Sequence, residues 1–135
     1  MRGILADNDV EGLVEIIHTI WLSDAWRDLW NELGLSVESF HTLELSPDSS
    51  DAVVWRTCQK EGLVLVTGNR NADGAESLEM VVRGENQPDS LPVITIADSN
   101  RVLHDRLYAE RVAERILDYL MRIDELRGSG RLYAP

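Results

Sequence analysis

The sequence has a single cysteine, no long apolar run and few basic residues, and each shortage excludes a class of protein. One cysteine, Cys58, cannot form an internal disulfide, which excludes a disulfide-stapled fold and favours a reducing compartment. No apolar stretch approaches the ~20 residues that span a bilayer, and the basic and long apolar segments of a signal peptide are absent from the first residues. We therefore expect a cytoplasmic protein without a membrane span.

The shortage of basic residues constrains the partners. Lys and Arg number 13 against 24 Asp and Glu, which gives a formal net charge of −11. Affinity for nucleic-acid phosphates normally comes from Lys and Arg, so bulk electrostatics does not bring this chain to RNA or DNA. Binding of a nucleic acid would need a bound cation, a basic partner, or a local basic rim made of Arg56, Lys60, Arg70 and Arg83. An acidic surface equally suits a basic protein partner.

Apolar runs alternate with amphipathic stretches along the 135 residues, which are enough for one domain. The runs predict four strands, at residues 3–6, 36–40, 63–67 and 92–96, and the stretches between them predict helices at residues 10–20, 23–33, 51–61 and 75–83. Such alternation is typical of an α/β fold with a mostly parallel sheet covered on both faces. With the first strand central between the second and third, a crevice opens at the carboxyl ends of the first and third strands.

The C-terminal part predicts a long helix from about residue 98 to Gly128. We interpret residues 1–127 as the domain and residues 128–135 as a tail. The helix and the tail, with Leu132 and Tyr133, offer apolar surface beyond what a four-stranded sheet needs, which predicts a homodimer with two-fold symmetry.

Three tryptophans lie about one helical turn apart: Trp21, Trp26 and Trp30. Helical spacing directs all three rings to one side of the chain, which predicts core packing rather than a base-stacking platform.

Two of the expected strands end in polar segments. The first ends in Asp7-Asn8-Asp9, and the third is followed by a loop that contains Asn69, Arg70, Asn71 and Asp73. If the two strands are neighbours, these segments share one oxygen-rich pocket at the crevice. Oxygen ligands suit hard cations such as Mg²⁺ or Mn²⁺, so the pattern predicts phosphodiester chemistry on a metal. The Asn, Asp and Gly residues of the loop are also common turn formers.

Each acidic candidate also has a purely structural explanation. Asp7 or Asp9 could cap the helix that follows, where an acid is favoured, and one cap would leave the other residue without a structural role. Asp51 opens a helix after a serine-rich loop, so compensation of the helix dipole explains it. Glu76 and Glu79 lie three residues apart on the next helix, where they could reach a metal or form a solvated face.

At these positions the chain resembles the PIN-like superfamily, specifically its small bacterial branch of unknown function. That branch has a first strand ending in an Asp-rich segment, a Ser-Asp pair that opens a middle helix, and Leu-Val-Thr before a loop with two aspartates. The matching segments occur in the same order between residues 3 and 100: Leu5-Ala6-Asp7-Asn8-Asp9, Ser50-Asp51-Ala52-Val53 and Leu65-Val66-Thr67-Gly68-Asn69-Arg70-Asn71.

The resemblance implies a flavodoxin-like, three-layer α/β/α sandwich. Many PIN-like domains are Mg²⁺- or Mn²⁺-dependent ribonucleases, and many are toxins paired with an antitoxin protein. For this chain it implies a direct metal ligand at Asp7, a catalytic role for Asp51, and a site wall at residues 69–73.

The mechanism that follows from this resemblance assigns a role to each candidate. One or two cations held by Asp7 and Asp9, with help from Asp51 and Asp73, activate a water and stabilise charge on a phosphate. Arg70 neutralises a substrate phosphate. The remaining residues expected to contact substrate are Asn8, Asn69 and Asn71.

One difference from the relatives leaves catalysis open. Where they carry Asp-Lys-Asp, this chain has Asn69-Arg70-Asn71, and each exchange of Asp for Asn weakens a hard-cation ligand. Asp73, Glu76 or Glu79 could compensate. Alternatively, the domain has lost cleavage and acts as an inactive module that binds a protein partner through its acidic surface.

Overall fold

The computed structural model describes residues 1–68 and 77–135 of the chain. A short 3₁₀ turn at Asn8–Val10 precedes the first α-helix. No helix in these two ranges is long and apolar enough to cross a membrane. The elements in chain order are β1 Gly3–Ala6, α1 Glu11–Trp21, α2 Arg27–Leu33, β2 Ser36–Glu38, α3 Asp51–Glu61, β3 Leu63–Thr67, α4 Leu78–Glu85, β4 Val93–Ile96, α5 Ser99–His104, α6 Arg106–Met121, α7 Ile123–Leu126 and β5 Arg131–Ala134.

The strands form one parallel sheet in the order β2-β1-β3-β4-β5. Strand β1 lies between β2 and β3, which is the arrangement that the expected crevice requires. Leu5 lies opposite Leu65 and Ala6 opposite Val66, so β1 and β3 end at nearly the same level. The order of the strands reverses between β1 and β3, which opens a crevice beyond their carboxyl ends.

The sheet has five strands and not the predicted four. Residues 131–134, interpreted above as part of a tail, pair with β4 from Arg131 beside Val93 to Ala134 beside Ile96. The chain enters this strand through Gly130, which has a φ of +82°, a conformation that favours glycine. A four-residue strand is too short for its alternation to distinguish it from a docked tail, which explains the error.

The fifth strand changes the basis of the homodimer prediction. Leu132 and Tyr133 belong to the sheet, and the hydroxyl of Tyr119 donates a 2.8 Å hydrogen bond to the carbonyl of Tyr133. The backbone of both residues is therefore part of the sheet, whereas the Tyr133 side chain is 48% exposed. The homodimer stays a prediction.

Alternate side chains of the strands pack into one core on each face of the sheet. On one face, Ile4, Val64 and Ile94 pack with α1 and α6. On the other face, Leu5 and Leu65 pack with α3 and α4. Because helices cover both faces, the central strands are apolar on both sides and read as continuous apolar runs.

Helix boundaries follow their capping residues. Helix α3 spans the predicted residues, because Ser50 Oγ accepts a hydrogen bond from the backbone N–H of Val53 and Gly62 ends the helix with a φ of +70°. Helix α2 begins later than predicted, at Arg27. The hydroxyl of Ser23 donates to the carbonyl of Ile20 at 2.6 Å and therefore does not cap a helix.

The two helices after β3 also differ from the prediction. Helix α4 begins at Leu78 because Ser77 caps it by accepting from the backbone N–H of Met80. The long C-terminal helix is interrupted at Asp105, which has an extended backbone and caps α6 by accepting from Tyr108. Asp105 thus divides the predicted helix into α5 and α6, and Arg122 separates α6 from α7.

The tryptophan prediction is confirmed for two of the three rings. Trp21 and Trp30 are buried, and their ring centroids stack 4.6 Å apart. Trp21 Nε1 also donates a 3.0 Å hydrogen bond to the carbonyl of Ala113, which fixes α1 against α6. Trp26 is only partly buried and lies at the edge of this core.

Candidate functional site

Three of the predicted acids line one open cleft at the carboxyl end of β1. Asp7 follows β1, Asp9 lies in the 3₁₀ turn, and Asp51 is the first residue of α3. The cleft has a volume of about 400 Å³. We call it the carboxylate cleft, and its lining residues are Asp7, Asn8, Asp9, Phe40, Pro47, Ser49 and Asp51.

Asp7 is held by two hydrogen bonds. Its Oδ2 accepts from the hydroxyl of Thr67 at 2.7 Å, and its Oδ1 accepts from the backbone N–H of Asn8 at 2.8 Å. Burial raises the pKa of Asp7, the two hydrogen bonds oppose this shift, and the negative charge of Asp51 adds to it, with a net increase. Asp7 is therefore the cap of the 3₁₀ turn and also a carboxylate partly withdrawn from water.

Asp9 has no capping bond to explain it. The residue is exposed as a whole, but its Oδ2 lies 3.3 Å from the point that a Cβ at Gly68 would occupy. Desolvation there raises the pKa of Asp9, and the charge of Asp7 raises it further, whereas backbone N–H groups of Asp9 and Gly68 partly offset the increase. The charges of Asp7 and Asp51 thus both act on the Asp9 carboxylate.

Asp51 has a structural role as well as a place in the cleft. Its Oδ2 accepts a 2.9 Å hydrogen bond from the backbone N–H of Leu78, which joins the start of α3 to the start of α4. Its charge raises the pKa of both Asp7 and Asp9. The bond to Leu78 is a structural role that the sequence did not indicate, and the catalytic role of Asp51 stays a prediction.

Other predicted residues are not in this cleft. Glu79 pairs with Arg131 and Arg83, each at 3.2 Å, and Arg56 pairs with Glu85 at 2.6 Å. Arg56 and Arg83 are thus engaged by acids of α4 and do not form the expected rim. The predicted site residues that lie outside the described residues are Asn69, Arg70, Asn71, Asp73 and Glu76.

Within residues 1–68 and 77–135, no group of three or more His, Cys, Asp or Glu side chains is arranged to hold a metal ion.

The thiol of Cys58 lies in the core, where the negative charge of Asp7 acts on it. Burial, together with the charge of Asp7, raises the pKa of Cys58 to about 12. Because the thiolate is the nucleophilic form of cysteine, Cys58 is unreactive at neutral pH.

Ser99 lies near Asp9, beside Gly68, and the sequence analysis did not predict this position. It follows β4, and its Oγ lies 2.7 Å from the point that a Cβ at Gly68 would occupy, the same point that Asp9 Oδ2 approaches. The signal was present, since Asp98-Ser99-Asn100 follows the fourth strand as Asp7-Asn8-Asp9 follows the first. Applying the same rule to every strand end would have found it.

Comparisons with protein-family models, with curated proteins and with solved structures give no match to this chain.

Proposed function

We propose that the chain is a PIN-like, metal-dependent nuclease that acts on RNA. The observation that carries the proposal is the convergence of Asp7 and Asp9, from the segment after β1, and of Asp51, from the start of α3, on one cleft at the point where the strand order reverses. The order of the PIN-like motifs in the sequence supports the same assignment.

The donor set of the cleft suits a hard divalent cation. Carboxylate oxygens are the ligands that Mg²⁺ and Mn²⁺ prefer. The charges of Asp7 and Asp51 raise the pKa of Asp9, so these groups repel one another, and a cation would offset that repulsion. Asp7 and Asp9 would hold the cation, and Asp51 would add negative charge. Asp73 is proposed as a further ligand.

In this proposal the chain's own residues do the positioning. The hydroxyl of Thr67 and the N–H of Asn8 orient the Asp7 carboxylate. Phe40 and Pro47 add apolar surface to the lining of the cleft. A bound Mg²⁺ or Mn²⁺ would stabilise the negative charge on a phosphodiester and would activate a water as the nucleophile that attacks it.

A bound cation would also reduce the repulsion between the acidic surface and RNA. The net charge of −11 repels RNA, and Arg56 and Arg83 are paired with glutamates, so phosphate recognition would rest on the cation and on Arg70. We also propose a basic, antitoxin-like protein partner in the cytoplasm, because a protein of opposite charge would bind this acidic surface.

The test is cleavage of mixed RNA by the purified protein, with Mn²⁺ or with a chelator. We expect cleavage that is lost in the chelator and in Asp7→Ala. The matched control is Asp24→Ala, because the Asp24 side chain is 98% exposed and pairs only locally with Arg27. Absence of cleavage by the parent with any divalent ion would overturn the nuclease and favour the inactive module that binds a protein partner, an alternative already raised by Asn69 and Asn71.

A further inference from the structure

Position 68 requires a glycine because neighbouring side chains approach it too closely to leave room for a Cβ. Its φ does not fall in the positive range adopted by Gly34, Gly62, Gly128 and Gly130, so its backbone conformation is open to other residues. A Cβ at this position would lie 2.7 Å from Ser99 Oγ, 3.3 Å from Asp9 Oδ2 and 3.3 Å from the methyl carbon Val10 Cγ1. Two polar groups from different segments thus border the space that a side chain would fill.

Ser99 reaches this space from the fourth strand. It is the first residue of α5, but the capping role belongs to Asp98, whose Oδ1 accepts from the backbone N–H of Arg101 at 3.1 Å. Within the described part of the chain, the Ser99 hydroxyl makes no hydrogen bond, whereas Thr67 donates to Asp7 from the end of the neighbouring strand. The position of Ser99 is therefore not explained by capping.

We propose that the Ser99 hydroxyl and the Asp9 carboxylate form a subsite over Gly68 for the hydration shell of a divalent cation. Asp9 supplies the negative charge, and Ser99 supplies a hydroxyl that accepts or donates a hydrogen bond. Both oxygens approach the same point beside Gly68 and lie at most about 6 Å from each other, and a water held between them would bond to both. This inference rests on the proposed function and extends its site to β4.

The geometry assigns different consequences to the two residues. Removing the Ser99 hydroxyl weakens the binding of the cation without changing the packing, because the hydroxyl has no partner among the described residues. Adding a methyl group at Gly68 fills the subsite and also contacts Ser99 Oγ. Replacing both Gly68 and Ser99 with alanine relieves the contact with Oγ, but the subsite stays filled and lacks its hydroxyl.

The test is calorimetric titration of the metal-free full chain with Mn²⁺ alone, together with thermal melts. We expect Ser99→Ala to melt like the parent and to bind Mn²⁺ about tenfold more weakly, as is typical for partners that orient a metal site. Gly68→Ala should bind at least as weakly and melt lower. The double variant Gly68→Ala/Ser99→Ala should regain the melting temperature but not the affinity. The control is Gly12→Ala, because a Cβ at Gly12 meets nothing within 4 Å.

The outcomes separate this proposal from the nuclease. If Ser99→Ala binds Mn²⁺ as tightly as the parent, or if the double variant regains full affinity, Gly68 serves only packing and the subsite is wrong, while cleavage by the parent would still support the nuclease. If the parent binds no Mn²⁺ and cleaves no RNA, both proposals fail.

Discussion

The hydroxyl of Thr67 donates a 2.7 Å hydrogen bond to Asp7 Oδ2, from the last residue of β3 to the residue that follows β1. The backbone N–H of Asp7 donates in turn to the carbonyl of Val66 at 2.9 Å. Two adjacent strands therefore orient this carboxylate. A side chain fixed by the sheet is better preorganised for a ligand than one fixed by a loop.

The first prediction concerns the variant Thr67→Val, which keeps the shape of this fully buried side chain and removes its hydroxyl. We expect a loss of about 1.5–3 kcal/mol in unfolding free energy at neutral pH, because the ionised carboxylate loses a donor. The hydrogen bond lowers the pKa of Asp7, so the loss should shrink as the pH falls and Asp7 becomes protonated. Urea unfolding of the parent and of Thr67→Val between pH 4 and pH 7 measures this loss and its dependence on pH.

The control for this variant is Thr95→Val, because Thr95 is an equally buried threonine on β4 and its hydroxyl accepts from the guanidinium of Arg131. Arginine does not titrate in this range, so the loss caused by Thr95→Val should be independent of pH. Equal pH dependence in the two variants would contradict the assigned role of the Thr67–Asp7 bond.

The second prediction concerns Asp7→Asn. Burial raises the pKa of Asp7 above its unfolded value, so the folded state holds the proton more tightly and this group's contribution to stability falls as the pH rises through the folded pKa. The variant removes that dependence and keeps an oxygen for the Asn8 N–H. We expect it to melt roughly 2–6 °C higher than the parent at pH 7 without metal.

Added Mn²⁺ should raise the melting temperature of the parent more than that of Asp7→Asn, because a cation that binds only the folded state stabilises it. A simple cap predicts the reverse order without metal, since the variant loses the attraction between the carboxylate and the helix N-terminus. Melts of both proteins in chelator and in millimolar Mn²⁺ distinguish these cases. An unresponsive parent and a variant that is no more stable would leave Asp7 as a cap alone.

The arrangement of the strands was predictable because its signal is local. Leu63–Thr67 and Gly3–Ala6 are apolar on both sides, as central parallel strands must be, and the polar residues begin where the strands end. The prediction that Asp7 and Asp9 lie near the end of β3 followed from strand order alone.

The fifth strand and the partners of Asp51 and Glu79 were not predictable, because they depend on contacts between residues far apart in the sequence. Nothing in the local sequence indicates that Arg131 lies beside Val93 in a fifth strand, or that Asp51 accepts from the N–H of Leu78, 27 residues later. The separate role of Glu79 was hidden for the same reason, since its partner Arg131 is 52 residues away. Spacing on one helix cannot distinguish a metal ligand from the partner of a remote arginine.

The third prediction separates the two roles of Asp51. Asp51→Asn keeps an oxygen that can accept from the buried Leu78 N–H, so we expect little change in stability, whereas Asp51→Ala should lose about 1–3 kcal/mol of unfolding free energy. Both variants remove the charge that acts on Asp7 and Asp9, so both should show a smaller Mn²⁺ shift. A full Mn²⁺ shift in Asp51→Asn would remove Asp51 from the proposed site.

The last prediction concerns Glu79, which the sequence left as a second metal candidate. Its Oε2 accepts from Arg131, whose side chain is only 8% exposed, and its Oε1 accepts from the exposed Arg83. We expect Glu79→Ala to lose roughly 2 kcal/mol of unfolding free energy, because it leaves the buried guanidinium without this carboxylate. Arg83→Ala is the matched control and should change stability by less than about 1 kcal/mol, since exposed ion pairs contribute little. Both variants should keep the parent's Mn²⁺ shift in melting temperature, whereas Asp9→Asn should reduce that shift with little loss of stability. If Glu79→Ala lost the Mn²⁺ shift and Asp9→Asn kept it, the cation would bind near α4 and the carboxylate cleft would not be the metal site.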